Sequence, residues 1–165
     1  MENLLIPRNL EGRKEKLKQM NIKMLSQEVI DGNLNLDESF MDIDPKFVKL
    51  KNVNGNVYLR GKCTEIPEWL KNVKIEGNFR CAFNFLKTLK NCPQNIGGYF
   101  DCSNNELTTM KNCPRNIGGS FGCSYNKLTS LEGCPESIGG DFYCLNNKVK
   151  LQLPENVKLK GEFKN

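Results

Sequence analysis

Eight cysteines and no histidine set the chemical options of this 165-residue chain. Clustered thiols serve as disulfide partners, as soft metal ligands or, beside a base, as nucleophiles. The missing imidazole removes the commonest general base, the usual activator of a nucleophilic cysteine and the ligand of most catalytic zinc sites. Seven of the thiols fall into two columns: Cys81, Cys102, Cys123 and Cys144 recur every 21 residues, as do Cys92, Cys113 and Cys134, while Cys63 stands apart. If each interval is one turn of a stacked coil, successive thiols lie about 4.8 Å apart with parallel Cβ directions, outside the roughly 3.5 to 4.5 Å Cβ separation of a disulfide. A straight ladder also fails to bring four thiolates tetrahedrally around one ion. The columns therefore read as small buried hydrophobes, with no metal and no cofactor expected. The Gly-Gly pairs at 97–98, 118–119 and 139–140 keep the same interval, so they mark a repeat and not a phosphate-binding loop. The chain is expected to have no enzymatic activity.

The element that must position these columns is visible as a recurring Gly-x-Φ-x-Φ phrase, where Φ is apolar. It reads Gly32, Leu34, Leu36; Gly55, Val57, Leu59; Gly77, Phe79, Cys81; Gly98, Phe100, Cys102; Gly119, Phe121, Cys123; and Gly140, Phe142, Cys144, with a shortened copy at Gly161 and Phe163. The intervals are 23, then 22, then 21 residues throughout. Alternating apolar residues turn one face of a short strand inward, and a fixed interval brings the next strand alongside. Asn84, Asn105 and Asn126 form a further column, as do Leu86, Leu107 and Leu128 and the steps Cys92-Pro93, Cys113-Pro114 and Cys134-Pro135. The prolines and paired glycines leave too few residues for a helix on the return stroke, which should be extended or 3₁₀. In the first two turns Pro45 and Pro67, followed by Phe47 and Trp69, predict a bulkier return segment.

Phe100-x-Cys102-x-x-Asn105-x-Leu107 fits the Leu-x-Leu-x-x-Asn-x-Leu pattern, and the chain from Gly32 to Asn165 resembles leucine-rich-repeat proteins. The Cys-Pro-x-x-Ile-Gly-Gly-x-Phe phrase is similar to the short repeats of bacterial effectors and bacteriophage proteins. The resemblance implies an α/β repeat solenoid, mostly β, with a curved parallel sheet of about seven short strands and an N-terminal helical cap. It also implies that the Asn side chains turn inward onto the backbone of adjacent turns. Asn147 keeps that column, whereas Ser39 and Lys62 occupy it in the first two turns. The function implied is a non-enzymatic protein-binding module, and for a phage or mobile-element protein an inhibitor of a host factor such as a CRISPR or other defence nuclease, acting in the host cytoplasm.

Residues 1–31 are expected to cap the solenoid and 32–165 to form it. Asn9 is a candidate N-cap, Leu17, Met20 and Met24 fall at helical spacing, and a second short helix is expected from Ser26 to Asp31. Leu4, Leu5 and Ile6 are too short an apolar run for a signal peptide, and no stretch reaches the roughly 18 apolar residues of a membrane span, so a cytoplasmic protein is expected. Past Phe163 no capping helix is foreseen; Lys158, Lys160 and Lys164 would guard the last edge, with an end-to-end homodimer through that turn as the alternative to a monomer.

Side chains between the inward ones point to the concave face of such a sheet, about 29 Å across for seven turns at the ordinary strand spacing. Tyr58, Arg60, Arg80 and Tyr99 cluster toward its N-terminal half, with Asp101, Asp141 and Tyr143 further along. Tyrosine with arginine is the composition of interface hot spots, and these seven residues are the expected binding site for another protein or a ribonucleoprotein. Direct nucleic-acid binding is the alternative, through Arg60, Arg80 and lysines such as Lys71, Lys74, Lys87, Lys90 and Lys111. The net charge of +5 is spread along the chain, and the carboxylates on the same face argue against a phosphate-tracking groove.

Overall fold

The computed structural model describes residues 10–165; the expected N-cap, Asn9, lies outside them. The chain winds as a parallel β-solenoid whose turns each contribute two short strands, one to each of two seven-stranded parallel sheets. One sheet consists of the Gly-x-Φ-x-Φ strands, from Leu34–Leu36 and Val57–Leu59 through Phe79–Arg80, Phe100–Asp101, Phe121–Gly122 and Phe142–Tyr143 to Phe163–Lys164. We call it the Φ sheet. Its register sets like on like: Phe79 pairs with Phe100, Phe100 with Phe121, Phe121 with Phe142 and Phe142 with Phe163.

Those rings fill the interior as a continuous stack. Centroids are 5.6 Å apart for Phe79 and Phe100, 5.4 Å for Phe100 and Phe121, and 4.9 Å for Phe121 and Phe142, with the planes opening from 4° to 35°. Phe142 meets Phe163 edge-on at 67°, where the stack reaches a half-buried end. Beside the rings run Leu36, Leu59, Cys81, Cys102, Cys123 and Cys144, all buried. All eight cysteines are free thiols, and only Cys134 is partly exposed. Burial pushes each of them above the ordinary thiol range, to about 11 at Cys134.

The Asn column is the internal ladder expected of it. Asn105 Oδ1 accepts the Leu86 N–H at 2.9 Å, while its Nδ2 donates to the carbonyls of Cys81 and Cys102 at 2.9 and 3.1 Å. Asn84, Asn126 and Asn147 repeat the arrangement. In the first turn Ser39 is reached instead by Asn21 Nδ2 of the helix, at 2.9 Å.

The other sheet is a structural addition to the expected single one. Its strands are Val29–Ile30, Asn52–Val53, Lys74–Ile75, Asn95–Ile96, Asn116–Ile117, Ser137–Ile138 and Lys158–Leu159, on the stroke that leads into each glycine. Val53, Ile75, Ile96, Ile117 and Ile138 point inward and are buried. Glycines form the corner between the sheets because turns approach there at backbone distance. A Cβ on Gly118 would collide with the Gly97 carbonyl oxygen, and one on Gly139 with that of Gly118. The second glycine of each pair donates its N–H to the equivalent glycine one turn earlier, as from Gly98 to Gly77 at 2.9 Å and from Gly119 to Gly98 at 3.0 Å, while Gly118 and Gly139 donate to the Ile96 and Ile117 carbonyls.

The bulkier return segments of the early turns are 3₁₀, Pro45–Phe47 and Glu68–Asn72. Trp69 is buried there, whereas Phe47 is exposed. Helix α1, Leu10–Leu25, lies against the first turn through Leu25 and Asn21, with Ile22 and Met24 partly buried on the core. Two expectations are corrected. Leu17 and Met20 stay largely exposed, so the packed stripe is the one running through Asn21 and Leu25. Ser26 to Asp31 holds no second helix; Val29 and Ile30 are paired with Asn52 and Val53 as the first strand of the corner-side sheet. Among the described residues no helix is long and apolar enough to cross a membrane.

Candidate recognition face

The outward positions of the Φ sheet collect the expected site residues on one surface. Register places Tyr58 beside Arg80, Arg80 beside Asp101, Asp101 beside Gly122 and Gly122 beside Tyr143. The alternation that buries Val57, Phe79, Phe100 and Phe142 is what turns these side chains outward.

At the N-terminal half the arginines stack on tyrosines. The Arg60 guanidinium carbon is 4.9 Å from the centre of the Tyr58 ring, and that of Arg80 is 5.8 Å from the Tyr99 ring. Such cation–π contacts at exposed sites contribute about 0.5–1 kcal/mol each and hold a long side chain in one orientation. Neither guanidinium has a carboxylate within ion-pair distance among the described residues. Asp101, the neighbour of Arg80, instead accepts the Ser103 N–H at 3.1 Å. Tyr99 lies across Gly122, where any Cβ would fall against its hydroxyl. Burial, and then the charge of Asp101, push its phenol well above the ordinary range, so it stays protonated.

At the C-terminal half the polar groups satisfy one another. Asp141 accepts the Tyr143 hydroxyl at 2.7 Å, the Lys164 ammonium at 3.1 Å and the Glu162 N–H at 2.9 Å. Lys164 also lies 4.9 Å over the Tyr143 ring. The backbone N–H of Glu162 first, then Tyr143 and Lys164, hold the Asp141 carboxyl down at about 2. The structure thus brings Tyr58, Arg60, Arg80, Tyr99 and Asp101 together, and places next to them, across Gly122, a group in which Asp141 and Tyr143 are hydrogen-bonded to each other.

Two features of this surface escaped sequence reasoning. The residue after each corner glycine acts as a spacer between turns: Asn33 accepts the Asn56 N–H, Asn56 that of Asn78 and Asn78 that of Tyr99, at 2.6–2.8 Å. These asparagines alternate with the strand residues and look merely exposed. The second feature is a rim at the far end of the strands, where Phe83, Asn104, Tyr125 and Asn146 all adopt left-handed φ values between 53° and 59°. Phe83 and Tyr125 are largely exposed there, with Phe85 beside them. Asparagine at every second place in that column was the available signal.

Among the described residues no three of His, Cys, Asp or Glu converge as a set that could hold a metal ion. No protein-family model, curated protein or solved structure matches this chain at a significant level.

Proposed function

We propose that this chain is a non-enzymatic binding module of leucine-rich-repeat type, which grips another protein, or the protein part of a ribonucleoprotein, through the N-terminal half of its Φ-sheet face. The observation that carries the reading is the state of Arg60 and Arg80. Both lie over a tyrosine ring, Arg80 in a strand and Arg60 just past the end of one, each strand paired on both edges, yet among the described residues neither has a carboxylate within ion-pair distance. Two oriented charges held only by a weak contact with a ring contribute little to the fold, and a tyrosine-arginine pair of this kind is the composition of interface hot spots. The similarity to bacterial-effector and bacteriophage repeats extends the proposal to a target class: a host factor such as a CRISPR or other defence nuclease, inhibited by occlusion in the host cytoplasm.

Affinity capture from the source cell tests the reading, with the Tyr99→Ala, Arg80→Ala double variant as control. A partner retained by the native chain and lost by the variant is the expected result; a partner held equally by both rules this face out. A salt series on the captured complex separates the nucleic-acid alternative. Phosphate neutralisation gives an affinity that falls steeply and linearly in log salt, whereas a tyrosine-anchored protein interface responds weakly.

A further inference from the structure

Beside the stacked arginines the surface forms a cleft of about 340 Å³, lined by Tyr58, Arg60, Arg80, Ala82, Phe83 and Asp101 among others. Phe83 is 77% exposed with φ at 59°. A bulky side chain in the left-handed region is strained, and an exposed one has no packing to offset the strain. The next turn places Asn104 at the same position, and the turn after Tyr125 places Asn146, the residue type that this backbone prefers. The other left-handed column, Asn91, Asn112 and Gly133, contains no aromatic at all. Of the two exposed aromatics in the rim column, Phe83 and Tyr125, it is Phe83 that stands in the wall of the cleft, where its ring is open to contact.

The charges say what arrives. Each guanidinium carbon lies over a tyrosine ring, and among the described residues neither group has a carboxylate within ion-pair distance, which leaves N–H donors for a planar two-oxygen acceptor. Arg80 stands opposite Tyr58, and Arg60 follows two residues after Tyr58, one past the end of the strand, with its N–H still bonded to the Leu36 carbonyl at 2.8 Å. By strand geometry their Cα atoms are offset by about 6.7 Å along the sheet and about 4.8 Å across it. Together these offsets put the two Cα atoms about 8 Å apart, a span that two flexible arginine side chains can close onto carboxylates two residues apart in an extended peptide, about 6.7 Å. A continuous phosphate backbone, with a charge at every step, would also meet the acidic groups that flank the cations, Asp101 in the cleft itself and Asp37 and Glu38 packed around Gly61, whereas two spaced carboxylates need meet only Arg60 and Arg80.

We propose that this cleft takes an acidic segment of a partner protein, extended along the strands, with two carboxylates in an acidic-x-acidic spacing on Arg60 and Arg80 and an adjacent large apolar side chain against Phe83. The inference rests on the Φ-sheet face being the recognition surface.

Selection of a random peptide library on the immobilised full-length chain, followed by fluorescence anisotropy with the best synthetic peptide, tests it. Enriched sequences should carry Asp or Glu at that spacing beside an aromatic or large aliphatic residue. Binding should weaken roughly tenfold or more in Arg60→Gln, in Arg80→Gln and in Phe83→Asn, the usual loss when a hot-spot contact is truncated. Phe83→Asn installs the residue that Asn104 and Asn146 already show this backbone accepts, so a loss there reports contact and not misfolding. Neutral or basic enriched peptides that are lost on Tyr99→Ala with Arg80→Ala overturn the acidic segment and leave the face as the recognition surface. Peptides indifferent to every one of these substitutions, or no enrichment, overturn it as well, and indifference counts against the face too. Oligouridylate binding more tightly than any selected peptide, through Arg60 and Arg80, overturns it in favour of a phosphate ligand.

Discussion

Asn126 shows how one buried amide holds two turns together. It accepts the Leu107 N–H at 3.0 Å and donates to the carbonyls of Cys102 and Cys123, both at 3.0 Å. Asn126→Ala strands these groups where water is excluded, and should lower unfolding free energy by about 3 kcal/mol. Asn147→Ala should cost less than half as much, since its site is half-exposed and water replaces the amide. Denaturant titration of the two variants checks the difference; equal losses would remove burial as the reason the ladder matters. At the rim the sign reverses. Phe83→Asn and Tyr125→Asn should each stabilise the fold by up to about 1 kcal/mol, because they relieve left-handed strain and uncover little packing. A drop in melting temperature in either variant would show that the ring is held by the fold after all. Cys134 is the one partly exposed thiol, with burial raising it to about 11. Since the thiolate is the nucleophile, alkylation of the native chain should begin at Cys134 and accelerate with pH until about 11, where the rate levels; peptide mapping after iodoacetamide reads both. The inward Asn and Cys columns were legible in the sequence, because identical residues at one interval can only stack on themselves. The rim was not, since hydropathy and spacing carry no φ, and Phe83 and Tyr125 resemble core residues.

The elements divide in the same way. Strands of the Φ sheet announce themselves through alternation, and their register follows from equal turn lengths. The corner-side strands are two residues long, as in Asn95–Ile96, with a single inward side chain, so no alternation exists to be seen. What the sequence did contain was the Gly-Gly corner, whose purpose is close approach of turns. Gly118→Ala should therefore destabilise by about 2 kcal/mol, the cost of forcing a methyl group into packed backbone. The check is thermal unfolding alongside Gly133→Ala, at a corner where the nearest atoms lie 3.3 Å away and φ is 80°, so that strain in place of collision sets the cost. An unaffected Gly118→Ala would mean that the sheets are spaced more widely than described. Helix α1 was legible as a helix and misread in its facing. Leu17 and Met20 share helical spacing with Met24, but the turn they would cover is already occupied by Leu25 and by the contact from Asn21 to Ser39.

At the scale of the molecule, a stacked core running without break from Leu25 to Leu151 makes the Φ-sheet face rigid, and its charges are unevenly used along it. Asp141, Tyr143 and Lys164 neutralise one another at one end, while Arg60 and Arg80 remain available at the other. The sequence identified these residues as a cluster; it could not show which of them are spent within the fold, because that depends on pairs such as Asp141 and Lys164, 23 residues apart. Hydroxyl-radical footprinting of the chain, alone and with its captured partner, tests the claim most directly, since oxidisable side chains stand on every side. With partner bound, Tyr58, Phe83 and Tyr99 should lose reactivity, while Met20 on α1 and Phe47 on the 3₁₀ return segment stay unchanged. Protection at Met20 or Phe47 with Tyr58, Phe83 and Tyr99 still reactive would contradict the account.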